Sequence, residues 1–350
     1  PDITIQAGSS GYSGLTINAS NCQIQYLHIQ GFSGTVQGAI VIDGSSAFDN
    51  SIIGNYLGTN STASGTGTSN YAGILIDNAA TGNFIGNIGR GIDIFSTNNT
   101  KIGIIGELQN VISSSANEGI RLNGSLNTLI VNNLIGVDMS GALDRGNATG
   151  IDITNSSNNT QIGDGTVNGR NVVSGSSGHG ISIDDSDGTM VLGNYIGLGS
   201  DGSTELANNF GVLVDGTSAN THIGGGTGSQ IGGSSTGNGN IISGNGWGIG
   251  VGVGGNDILG NYIGTNVSGT GALPNDNQGI RLSAGSGTKI GDGTSLGANV
   301  ISGNTLDGIL IENVSATSNN IDFNYIGVQA DGTSNLGNSR NGILIESQAN

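Results

Sequence analysis

Apolar side chains recur along this chain in a short alternating pattern: Gly, apolar, x, apolar. Clear copies are Gly119-Ile120-Arg121-Leu122, Gly150-Ile151-Asp152-Ile153, Gly180-Ile181-Ser182-Ile183 and Gly211-Val212-Leu213-Val214. The series continues through Gly248, Gly279 and Gly308 to Gly342-Ile343-Leu344-Ile345, and backwards through Gly91 and Gly73 to a looser copy at Ala39-Ile40-Val41-Ile42. Strict alternation puts the two apolar residues on one face of a strand and x on the other. From Gly119 to Gly308 the steps are 31, 30, 31, 37, 31 and 29 residues. A fixed period in that range marks a repeat architecture. No window carries a sustained 3.6-residue period, so the pattern predicts strands and no helix.

A second level of order begins near residue 50. Asn-Tyr/Leu-Ile/Leu-Gly stands at Asn55, Asn133, Asn194, Asn261 and Asn324, in steps of 78, 61, 67 and 63. A sister motif, Asn-Val/Ile-Ile/Val-Ser, falls between at Asn110, Asn171, Asn240 and Asn299. Units of about 31 residues therefore come in two alternating kinds. Each holds three short strands, for example Gly150–Ile153, Thr160–Gly163 and Asn171–Ser174, separated by Gly-, Asn-, Ser- and Asp-rich turns. Three strands per coil, stacked coil on coil, describe an all-β, right-handed parallel β-helix of about 11–12 coils, because parallel crossovers are right-handed. At ~4.8 Å per coil the body spans roughly 53–58 Å. The pattern predicts a single β-helix domain over 1–350, with irregular coils in 1–50 and regular ones in 51–350. The uncapped end at Asn350 suggests a fragment of a longer protein. The repeated asparagines predict a stacked ladder at an inner corner, and the glycines before each strand are expected to take positive φ.

Composition narrows the setting. Of 350 residues 68 are Gly, charged residues are 9%, and the net charge is −17. Such a surface repels nucleic acid and anionic lipid, and polyanionic glycans too unless cations bridge. One cysteine, Cys22, excludes an internal disulfide. No run of 18 apolar residues offers a membrane-spanning helix.

The Gly-Ile-x-Ile strands, the Asn-Val-Ile-Ser-Gly-Asn motif at Asn299–Asn304 and the Asn-Tyr-Ile-Gly-Thr-Asn…Gly-Thr-Gly-Ala-Leu motif at Asn261–Leu273 resemble repeats of bacterial secreted and surface proteins of the right-handed parallel β-helix class. The resemblance covers roughly residues 50–350. It implies an extracellular or cell-surface location. Its superfamily includes pectin lyases, polygalacturonases and phage tailspikes, and the enzymes among them usually work on the outward face of one sheet. The outward x column places Asp93, Arg121 and Asp152 on neighbouring coils, with Asp184, Asp185 and Asp215 beyond. Two carboxylates there could act as acid and base on a glycan; a plain surface ion-pair ladder is the competing reading. Gly178-His179-Gly180 and Asp184-Asp185 resemble two polygalacturonase motifs, but in reversed order and without that family's Asn-Thr-Asp or Arg-Ile-Lys.

Asp184, Asp185 and Asp187 offer hard oxygen ligands that suit Ca²⁺, and no other cofactor is called for. Trp247 reads as a single aromatic at a turn, either a sugar platform or packing, and 4% aromatics suggests no exposed aromatic strip. Long loops after each Asn-Tyr-Ile-Gly motif should form a ridge along one edge. Three functions stay open: a structural or adhesive segment (stalk, filament or adhesin), a polysaccharide-active lyase or hydrolase, and a Ca²⁺-dependent glycan-binding module. The expected partners are extracellular polysaccharide or copies of the chain end to end, with no nucleic acid and no membrane insertion.

Overall fold

The computed structural model describes residues 3–6, 13–25, 27–30, 38–47, 50–53, 56–57, 72–77, 84–85, 91–103, 105, 109–224 and 239–346. Among them every strand pairs in parallel and there is no helix. Three long sheets run side by side. The first has twelve strands, from Leu15–Ile17 to Ile343–Ile345. The second has eleven, from Gln23–Gln25 to Asn320–Ile321, and the third eight, from Asn110–Ile112 to Tyr325–Ile326. A three-stranded sheet of Ile3–Gln6, Leu27–Gln30 and Tyr56–Leu57 lies among the N-terminal coils. The chain visits the three long sheets in turn, which makes each coil triangular.

Register follows the repeat. Ile120 pairs with Ile151, Ile151 with Ile181 and Ile181 with Val212, so like residues stack. Both apolar residues of each copy from Gly91 to Gly308 are buried in one continuous core, joined by Ile162 and Val173 from the other two walls. Each fully buried aliphatic side chain contributes about 1.5–3 kcal/mol. β-branched Ile and Val fit because their stiff side chains suit a pleated wall.

Each corner carries its own polar ladder. Asn110, Asn133, Asn171, Asn194, Asn240, Asn261, Asn299 and Asn324 form the ladder that the repeat predicts. Each donates an Nδ2–H to the next Oδ1 at 2.6–3.0 Å. A second ladder, Asn208–Asn245–Asn275–Asn304–Asn338, occupies the corner before the first sheet, at 2.9–3.1 Å. At the remaining corner the backbone N–H groups of Ser125, Ser157 and Ser186 donate to the hydroxyl of the serine one coil on. Buried polar groups must be paired, and stacking identical side chains pairs them at every coil.

The strand glycines correct one expectation. Gly91 has a φ of 28°, but Gly119, Gly150, Gly180, Gly211, Gly279 and Gly308 are not in the left-handed region. They are glycine for lack of space: an added Cβ would lie 2.5–2.8 Å from the carbonyl oxygen of the next glycine in the stack. Positive φ instead belongs to the glycine closing each Asn-Tyr/Leu-Ile-Gly motif, at 75–88° for Gly136, Gly197, Gly264 and Gly327.

The alternation of coils has a physical cause. Tyr195 and Tyr262 point away from the solenoid core, with Leu134, Val172, Ile241 and Val300, into a second apolar layer. The long loop that follows each of these motifs folds back over that layer, held by single antiparallel bridges such as Leu198↔Glu205 and Thr265↔Ala272. Successive loops interlock. Ser200 sits against Gly141, Val267 against Gly202 and Ala330 against Gly269, where no larger residue than glycine leaves room. Two of these steps add a backbone bond, Ser200 N–H to Gly141 O at 2.9 Å and Ala330 N–H to Gly269 O at 3.0 Å. The sister motif's serine locks the pair of coils: Ser113, Ser174, Ser243 and Ser302 donate to the carbonyls of Val137, Leu198, Thr265 and Val328 at 2.6–2.8 Å. The expected ridge is thus present over loops 137–338; its expected first member, Thr59–Asn70, lies outside the described residues.

Candidate functional site

The outer face of the first sheet collects the predicted residues. Asp93 pairs in register with Arg121, Arg121 with Asp152, and Asp152 with Ser182. Arg121 Nε donates to Asp93 Oδ1 at 3.0 Å, and its guanidinium lies 5.7 Å from the centre of the Phe95 ring. Asp152 is not drawn into that pair. It accepts a hydrogen bond from Ser182, while burial, and then Glu118 and Asp184, push its carboxyl above the usual range. Asp184 is raised as well, by burial and by its neighbours Asp185 and Asp215.

The residue before each strand glycine also faces outward. The ladder register steps over the glycine, matching Glu118 with Thr149 and then Ile120 with Ile151. This brings His179, Phe210 and Trp247 onto consecutive coils. Phe210 and Trp247 stack with ring centres 5.4 Å apart and planes 9° from parallel. His179 meets Phe210 edge-on at 5.6 Å. Arg281 extends the row, its guanidinium 5.2 Å from the Trp247 ring and its Nε–H donated to Glu312 Oε1 at 2.7 Å. Gly250 makes room, since a Cβ there would come 2.8 Å from the Phe210 ring. All three rings are half-buried. His179 Nδ1 is buried without a hydrogen-bond partner, and burial pushes the imidazole below its ordinary value, leaving it neutral near pH 7.

Trp247 therefore lies in the strand Trp247–Val251 and not at a turn, and it belongs to a strip that low aromatic content had argued against. A composition average cannot reveal that the few aromatics fall on adjacent coils.

Beside this row, toward the loop ridge, lies an open polar recess of about 400 Å³. Ser115, Ala116, Asp144, Asn147, Ala148 and Ser177 are among its lining residues. It coincides with a gap in the second asparagine ladder. Asn245 and Asn304 close the Ile-Ser-Gly-Asn motif in later coils, but the same positions here are Ser115 and Ser176. The shorter side chains cannot reach across the corner, and both hydroxyls are buried without a partner.

The suggested metal ligands are not brought together. Asp185 Oδ1 accepts from Thr217 N–H at 2.8 Å, and Asp187 Oδ1 from Ala219 N–H at 2.7 Å. Turn amides of the next coil thus draw the two carboxylates aside. Among the described residues no three His, Cys, Asp or Glu side chains converge as metal ligands. Asp215 pairs with Asp184 in register, and its Oδ1 accepts from Gly216 N–H at 2.9 Å. No helix among the described residues is long and apolar enough to cross a membrane.

No protein-family model and no curated protein matches the sequence. Among solved structures, the A-module of the Azotobacter vinelandii mannuronan C-5 epimerase AlgE4 aligns at 15% identity, with a TM-score of 0.58, over 99% of this chain and 87% of that one. The AlgE6 A-module from the same organism aligns at 14% identity and a TM-score of 0.48, over 98% and 88%. The Dettilon tailspike protein aligns at 15% and 0.38, over 91% and 60%. The first of these likenesses is one of architecture, and with the all-parallel sheets it makes the chain a right-handed parallel β-helix.

Proposed function

We propose that the chain is the rod of an extracellular or surface protein that binds an extended polysaccharide along the outer face of its first sheet, an adhesive role. The observation that carries this reading is the half-exposed row His179–Phe210–Trp247 on consecutive coils. Rings offer apolar contact to the C–H faces of sugars, and polar groups beside them fix orientation. A solenoid displays such groups in a line, which suits a chain-like ligand. Affinity electrophoresis in gels cast with soluble glycans tests the reading: Trp247→Ala and Phe210→Ala should bind about tenfold more weakly, as expected for central anchors. Retardation unchanged by both substitutions would end it.

A second reading, a polysaccharide-active enzyme, rests on Asp152. Its raised carboxyl can hold a proton for transfer to a leaving oxygen. Chromatography of glycans incubated with the chain and with Asp152→Asn tests it. Products that vanish in the variant, with binding retained, support catalysis; products that persist unchanged remove Asp152 from it.

A further inference from the structure

The charges around the aromatic row bear on which polysaccharide fits, an inference that rests on the binding reading above. Two arginines sit in the outward column from Asp93 to Leu310, and both are committed: Arg121 to Asp93 and Arg281 to Glu312. Asp307, at the far end of the row, is enclosed by Gln278, Asn341 and Arg340. Among the described residues of the face, four carboxylates form no salt bridge: Glu118, Asp152, Asp184 and Asp215. Asp144 adds a fifth at the recess, which no Lys or Arg lines. Glu118 and Asp184 push the Asp152 carboxyl up, and Asp185 and Asp215 do the same to Asp184.

We infer that this face selects a polysaccharide bearing protonated amino groups, a glycan of hexosamine residues, and rejects polyuronates. An ammonium group on a sugar over Phe210 or His179 would lie within one or two coils of Asp152 and Asp184, about 5–10 Å along the rod. A uronate carboxylate in the same place would face Asp152 and Asp184, while the two arginines of the face are already paired with Asp93 and Glu312. The aromatic row supplies contact common to all glycans, and the carboxylates supply the discrimination.

The test compares three soluble oligosaccharides of equal length by calorimetry: glucosamine, N-acetylglucosamine and polyuronate oligomers. The buffer is mildly acidic, of low ionic strength and contains EDTA. The amino glycan should bind about tenfold or more tightly than either of the others, and the difference should shrink as salt is added. Asp152→Asn with Asp184→Asn should remove the preference while leaving affinity for the neutral glycan in place. Equal affinities, or tighter polyuronate binding with or without added Ca²⁺, would overturn the inference while leaving the binding reading intact. Absence of binding to all three, with Trp247→Ala indistinguishable from the parent chain, would overturn both.

Discussion

Two rows of aromatic side chains run along this rod on different faces. Tyr195, Tyr262 and Tyr325 recur every second coil on the third sheet, in step with the long loops that cover them. His179, Phe210 and Trp247 occupy three consecutive coils on the first sheet and remain half-exposed. The first row obeys the repeat and the second breaks it. An aromatic in phase with the super-repeat is explained by packing. One out of phase has no partner loop, and that is why the second row is read as the ligand face. The carboxylates divide in the same way. Asp138, Asp201 and Asp331 on the ridge accept turn amides and hydroxyls, which hold them below the usual range, Asp331 at about 2. Asp152 and Asp184 on the open face are pushed up.

The largest expected effect tests the strand phase on which the comparison depends. Ile181→Asp should cost more than about 4 kcal/mol in chemical denaturation, since it buries an unpaired carboxylate, whereas Ser182→Asp should cost under about 1 kcal/mol. Equal losses would mean that the outward column is misplaced.

Next in size, Tyr262→Ala should lose about 3–5 kcal/mol by opening a cavity beneath the ridge and leave glycan affinity alone. Trp247→Ala should do the reverse, with a stability loss of about 1 kcal/mol and clearly weaker binding. A melting curve and a binding isotherm for each variant give the four values.

A smaller effect concerns the interrupted ladder. Ser176→Asn restores the residue found at Asn245 and Asn304, and should stabilise by about 0.5–1.5 kcal/mol through one added buried hydrogen bond. It also narrows the corner beside the recess, so glycan affinity should fall. A gain in stability with no change in binding would detach the recess from the ligand face.

The smallest effect is a pH dependence of opposite sign in the two regions. Ridge carboxylates with depressed values stabilise the fold above the ordinary carboxylate range, and that contribution is lost as pH falls through their folded values. Asp152 is raised, so its ionised form destabilises the fold at neutral pH and protonation relieves this as pH falls. Asp152→Asn should therefore raise the melting temperature slightly at neutral pH, with the gain lost as pH falls to the ordinary carboxylate range. A gain that is constant with pH would contradict the raised value.

Much of this fold was legible in the sequence because one coil repeats its own physics. The inward Ile pairs, the three-strand coil and the Asn110–Asn324 ladder all follow from residues at fixed spacing. The second ladder escaped because its members come from two motifs: Asn245 and Asn304 close the Ile-Ser-Gly-Asn motif, whereas Asn208, Asn275 and Asn338 follow the long loops. The candidate site was half legible. Reading the x column put Asp93, Arg121, Asp152 and Ser182 side by side. The aromatic row was hidden because the register steps over each glycine, turning the preceding residue outward beside x. Comparing the residue before every glycine, which runs Glu118, Thr149, His179, Phe210, Trp247, Gln278, would have exposed it.

Trp247 is the sole tryptophan of the chain, so its emission reports on this face alone. The most direct measurement is a fluorescence titration with the glycan that binds best by calorimetry. A saturable change in Trp247 emission, with the calorimetric dissociation constant, is the predicted result. Binding seen by calorimetry while the emission stays constant would place the ligand elsewhere and contradict the account.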